Sequence, residues 1–165
     1  MQPVIAGQGH LPALGEHERT EVGNTLQAQL IELVDLSLLG KQLHWSVVGP
    51  HFRSIHLQLD ELIDSWRELG DTVAERAIAI GTAVDGQARA VAADSPLAGV
   101  EPGAIADATL VRELAARLAE TAERTRERAE RVSELDPATE DVLIEVIRAL
   151  EEQLWMVRAQ LPGGG

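Results

Sequence analysis

Two histidines and three carboxylates between His44 and Glu75 stand at spacings that could bind a metal ion. Imidazole with carboxylate is the donor mix that suits iron, zinc or manganese. His56 and Asp60 are one helical turn apart, as are Asp71 and Glu75, so each pair can ligate one ion. Asp60 and Asp71 are eleven residues apart, which on a straight helix is about 16 Å. Metal–ligand bonds of about 2 Å cannot span that distance. Two arrangements therefore stand open. Either each pair binds separately and under-coordinated, or two copies of the segment run antiparallel across a two-fold axis. In the second case His44, His56 and Asp60 of one copy meet Asp71 and Glu75 of the other, and the dimer holds two sites. The plainer alternative is a solvated polar stripe of His56, Asp60, Asp64, Arg67, Asp71 and Glu75. Against it stands His44, followed directly by Trp45, because a plain surface does not need an imidazole beside an indole.

These residues must be carried by long helices. From about residue 16 to 47 there is no proline, and Leu26, Leu30, Leu33, Leu36, Leu39 and Leu43 recur at helical spacing. Gly49-Pro50 breaks that helix. A second runs from about 51 to 80, with Phe52, Ile55, Leu59, Leu62, Trp66, Leu69, Val73 and Ile80 as its apolar seam and Gly81 placed to end it. Residues 82 to 105 shift to Gly, Ala, Pro, Ser and Asp, which predicts a long crossover with a short helix near 86–91. A third long helix is expected at about 107–134, with Val111, Leu114, Leu118, Ala122, Thr125, Ala129 and Val132 inward. Asp136-Pro137 separates it from a fourth at about 138–159, facing inward through Leu143, Val146, Ile147, Leu150, Leu154 and Val157. Two short connections and one long central crossover require up-down-down-up order, the ferritin-like form of the four-helix bundle. The chain thus divides into a tail at 1–15, an all-α bundle at 16–160 and a Gly-rich tail at 161–165.

Composition narrows the chemistry. The 165 residues suit one domain with a sizeable core. Absence of cysteine excludes disulfides, thiolate zinc sites and thiol catalysis. A formal charge of −13 disfavours nucleic acid or anionic membrane as a partner for the body of the fold, and favours cations. Aromatic residues number only Trp45, Trp66, Trp155 and Phe52, so the core is Leu, Val, Ile and Ala. The first residues lack the basic and apolar regions of a secretory signal, and no apolar run approaches ~18 residues, so a cytoplasmic location is expected.

The run H-W-x-V-x-G-P-x-F-x-x-x-H-x-x-x-D from His44 to Asp60, with D-x-x-A-E-R at 71–76, resembles the signature of the Dps family of mini-ferritins, the DNA-binding proteins from starved cells. The likeness is sharp over about residues 40–80 and elsewhere rests on length and helix order. It implies a ferroxidase site of His44, His56 and Asp60 from one subunit with Asp71 and Glu75 from its two-fold mate. It also implies up to two irons per site, for which zinc or another divalent metal can substitute, and oxidation of Fe(II) preferably by hydrogen peroxide. A hollow homo-dodecamer storing Fe(III) mineral and protecting against oxidative damage follows from the same likeness. Trp45 would pack beside the site, or donate an electron there. Glu61 and Asp64 are either mineral-nucleating carboxylates or solvated residues, with Arg67 a partner for Asp64. Glu140, Asp141 and Glu145 either complement the dipole of the fourth helix or line acidic entry pores.

Two competing readings fit less well. A nucleoid-compacting structural protein needs a basic tail, yet residues 1–18 and 161–165 hold no Lys or Arg. Little or no DNA binding is therefore expected, with His10 and His17 offering only weak cationic character at low pH. A di-iron oxidase acting on an organic substrate within one bundle needs Glu-x-x-His pairs, and none of the five histidines has Glu three residues before it.

Overall fold

The computed structural model describes residues 14–161; most of the expected N-terminal tail and nearly all of the C-terminal one lie outside them. Four long helices form: α1 (Glu16–Ser46), α2 (Phe52–Ala79), α4 (Asp107–Val132) and α5 (Pro137–Arg158). The crossover carries the short α3 (Ala88–Asp94). Two two-residue strands, β1 (Val47–Val48) and β2 (Ile105–Ala106), pair in parallel. No periodicity announces them, because a two-residue strand exists only where the fold brings the end of α1 to the start of α4. Among the described residues no helix is long and apolar enough to cross a membrane.

Helix α1 packs most extensively on α2, and α4 on α5, so the bundle is two helical hairpins set face to face. The expected apolar stripes are the buried ones. Leu59, Trp66, Leu118, Leu143 and Leu150 are fully buried, and among the seam residues of α2 only Phe52 is exposed. The short crossover helix begins two residues later than its composition suggested. Asp85 is held by Gln27, whose side-chain amide donates to the Asp85 carbonyl at 2.9 Å and accepts its N–H at 2.9 Å. Gly86 is then spent in the turn, and the Asp85 carboxylate accepts the Gln87 N–H at 2.9 Å. The Ser95 hydroxyl, just past α3, donates to Asp35 on α1.

The two hairpins share one apolar core, to which buried polar ties are added. The Trp66 indole N–H donates to Gln153 Oε1 at 2.7 Å, joining α2 to α5. Arg76 reaches Asp136 at 2.5 Å and Thr139 at 3.0 Å, at the start of α5. Burial alone would raise the Asp136 pKa, but hydrogen bonds from Thr139 and Arg76 outweigh it and hold it below the ordinary value. On the opposite side Glu32 is fully buried between α1 and α4. It accepts from Arg124 Nε at 2.8 Å and Arg128 Nη1 at 2.6 Å, and Arg128 also donates to Gln29 at 2.8 Å. Nothing in the helical periodicity distinguishes Glu32 from a surface glutamate.

Removing one partner of this cluster leaves buried charge uncompensated. Glu32→Ala is expected to lower stability by about 3–5 kcal/mol, whereas replacing Glu32, Arg124 and Arg128 together by leucines recovers most of the loss. Urea unfolding followed by circular dichroism reads both; a neutral Glu32→Ala would refute the account.

Candidate metal centre

The centre is built where α1 ends and α2 begins. Val47 is extended rather than helical, and the chain turns through Gly49, at φ +132°, which a side chain adopts only with strain. A Cβ at Gly49 would also stand 2.7 Å from the Asp107 carboxylate. Asp107, the first residue of α4, uses that approach to accept the His51 N–H at 2.9 Å and the Ala108 N–H at 2.7 Å. The backbone hydrogen bond from His51 is the main reason its carboxyl is held below the usual pKa. This fastening, with the β1–β2 pairing, fixes the start of α2 against the end of α1.

Across that turn the two histidines lock each other. His44 Nδ1 lies 2.9 Å from the His56 carbonyl, and His56 Nδ1 lies 3.0 Å from the His44 carbonyl. A carbonyl can only accept, so both Nδ1 atoms carry hydrogen, and in the neutral form of each ring the lone pair is left on Nε2. Neutral Nε2 with Nδ1–H bound to a carbonyl is the form in which imidazole ligates metals. The rings stack at 3.6 Å between centroids and 25° between planes, and Phe52 tilts over His56 at 4.9 Å. His44 is buried, while Phe52 is 44% exposed.

Asp60 stands beside the pair, with one carboxylate oxygen 3.4 Å from His44 Nδ1. The same oxygen is ion-paired to Lys41 Nζ. That hydrogen bond is the first cause of the lowered Asp60 pKa; partial desolvation opposes it, and His44 adds to it. Helical periodicity gives Lys41 no role; the signal for it is its spacing, three residues before His44 and so on the same helical face.

Asp71 and Glu75 are exposed further along α2, about 16 Å and about 22 Å past Asp60 by helical rise. Among the described residues no group of three or more His, Asp or Glu side chains gathers tightly enough to hold a metal ion. Trp45 is 71% exposed, so it does not pack into the core of its own chain. Asp64 pairs with Arg67 at 3.6 Å on an exposed face, the solvated arrangement, and Glu61 is exposed as well. Asp141 and Glu145 are exposed near the start of α5, with Glu140 half-buried.

A ferritin-like domain model matches residues 23–162. The DNA protection during starvation protein of Mycolicibacterium smegmatis is 32% identical over 94% of the chain and 85% of its own length. DNA protection during starvation protein 2 of Deinococcus radiodurans is 32% identical over 92% of the chain, which spans 63% of that longer relative. The solved DpsA14 from Streptomyces coelicolor superposes with a TM-score of 0.88 at 34% identity, over 99% of this chain and 98% of that one. Likeness of that extent, in sequence and in fold together, makes this protein a member of the Dps family of ferritin-like proteins.

Proposed function

We propose that this protein oxidises Fe(II), preferably with hydrogen peroxide, at sites shared between two subunits, and stores the ferric product inside a shell of twelve copies. The observation that carries the reading is the division of α2. One end bears a rigid His44/His56/Asp60 cluster and the other bears exposed Asp71 and Glu75, too distant to act on the same ion within one chain. A two-fold axis brings the unlike halves together and makes both complete. Membership of the Dps family supports the peroxide chemistry and the closed shell.

In this reading Fe(II) is the substrate. The Nε2 atoms of His44 and His56 bind it as borderline donors, and the reciprocal Nδ1–H bonds keep both rings oriented for it. Asp60, Asp71 and Glu75 supply hard anionic oxygens, whose attraction grows as the ion goes from Fe(II) to Fe(III) and so favours oxidation. One peroxide takes one electron from each of two Fe(II); its O–O bond breaks, and two protons complete two waters. Trp45 is assigned as an electron donor beside the site. Asp141 and Glu145, with Glu140, are assigned to an acidic entrance for Fe(II), consistent with a chain charge of −13. Consuming Fe(II) and peroxide together suppresses hydroxyl-radical formation, which gives a DNA-protecting outcome without requiring DNA contact.

Subunit mixing tests the shared site. His44→Ala/His56→Ala and Asp71→Ala/Glu75→Ala variants are each expected to lose at least about 90% of the rapid peroxide-driven oxidation of Fe(II). Refolded together, they regain a substantial fraction, because one site of each mixed dimer holds all five native ligands. If the mixture stays as inactive as its parts, the sites are not shared.

Lys41 competes with metal for Asp60. Lys41→Met should tighten the first Fe(II) or Zn(II) bound by roughly tenfold, a scale expected when an adjacent partner of a ligand is changed. Isothermal titration reads this, and unchanged or weakened binding contradicts the competition. For the nucleoid-structural reading, retention of plasmid in a gel at pH 7.5 and ordinary salt is expected to be absent; tight retention would favour that alternative.

A further inference from the structure

At the Asp71 end of α2, the α1/α2 face holds a groove of about 410 Å³ walled mainly by apolar side chains, among them Leu30, Leu33 and Val34 from α1 and Trp66 from α2. Gly70 lies in its wall and Asp71 on its lining. Leu38, which also borders it, is 55% exposed.

Gly70 is unexplained by the chain that contains it. A glycine inside a helix is less favourable there than alanine. At Gly40 the cost has an internal reason, since a Cβ there would stand 2.6 Å from the Trp66 ring and 2.8 Å from Ile63. At Gly70 a Cβ would meet nothing closer than Leu30 and Leu33 at 3.8 Å, which is ordinary contact. What the missing side chain leaves open is the groove.

The shared-site reading specifies what comes to that space. If Asp60 faces Asp71 and His56 faces Glu75 across the axis, two α2 helices cross between Ser65 and Trp66. Within one chain Lys41 is level with Asp60, so Leu38, three residues earlier, is level with about Ile63. The axis carries the level of Ile63 to that of Glu68, two residues or about 3 Å along the helix from Gly70. The exposed leucine of one copy therefore arrives at the open groove of the other. Charge agrees with this assignment. Each chain carries −13, so close approach of two copies favours a face with little net charge, and the groove is apolar apart from Ser37 and the oppositely charged Arg67 and Asp71.

We propose that this groove receives the partner subunit's Leu38, a contact made twice about the two-fold axis, and that Gly70 is glycine to admit it. The proposal rests on the shared-site reading and adds the contact that sets the register bringing Asp71 and Glu75 to the histidines.

The experiment uses the full chain in four forms: native, Leu38→Ala, Gly70→Leu and the double variant. Association is measured by sedimentation across concentration, oxidation by the initial rate with Fe(II) and peroxide, and folding of each form by circular dichroism. Gly70→Leu fills the groove and is expected to weaken association by roughly tenfold or more, with the oxidation rate falling alongside it. Leu38→Ala weakens both less. The double variant, with a smaller knob for a smaller hole, recovers association to within about threefold of the native chain, a non-additivity that separate defects would not show. Gly70→Ala keeps the test valid should Gly70→Leu fail to fold, since alanine favours the helix and weakens association in the same direction. Native-like assembly of both Gly70 variants, or a double variant no better than Gly70→Leu, overturns the groove contact. If that happens while mixed half-site variants still regain activity, only the groove contact falls; if mixing fails, the shared site falls with it.

Discussion

The rigidity of α2 is the constraint on which this structure depends. An α-helix advances about 1.5 Å per residue and does not fold back on itself, so ligands eleven residues apart on one helix cannot converge. Asp60 and Asp71 sit on a rod that keeps them apart, and in the proposed shared site the same rod, used twice in opposite senses, is what unites them. Bundle, turn and crossover all serve to hold that rod straight and oriented.

Much of the apparatus is preorganisation of one end. The turn between α1 and α2 is fastened from a third helix by Asp107, which gathers two backbone N–H groups and needs a glycine at position 49 to approach. Past the turn the two imidazoles each satisfy the other's backbone, which spends their Nδ1 hydrogens and leaves both Nε2 atoms available. Lys41 gives Asp60 a counter-charge within the chain, so any metal ion bound through Asp60 has to displace a cation already there. The hairpins that bear this end are tied by buried polar clusters around Glu32, Asp136 and Gln153. Such clusters favour one alignment of the hairpins over neighbouring ones, because a shifted alignment leaves charges or amides unpaired.

Legibility divided along the range of the interactions. The apolar stripes of α2, α4 and α5 were readable because burial imposes a period on local sequence, and Leu59, Leu118 and Leu150 are buried as that period requires. Phe52 fitted the same period yet is 44% exposed over His56, because periodicity reports a helical face and not what stands opposite it. Trp45, expected to pack beside the site or to donate an electron there, is open in its own chain, and no local period shows what covers it. The strands at 47–48 and 105–106, and the Arg124 and Arg128 partners of Glu32, join residues far apart in the chain and left no local trace. The start of α3 moved because Gln27, on another helix, takes hold of Asp85.

By itself the sequence determined that four helices form, which faces they bury, and that the two pairs of metal-type residues on α2 are too far apart for one ion. Those conclusions need only helical rise, side-chain chemistry and spacing. Only the tertiary structure decided that His44 and His56 meet as a stacked pair with defined hydrogen positions, and that Lys41 stands on Asp60. It also decided that a groove at Gly70 opens beside the second pair. Each of these depends on how α1 lies against α2, an arrangement made by packing through space that no local pattern encodes.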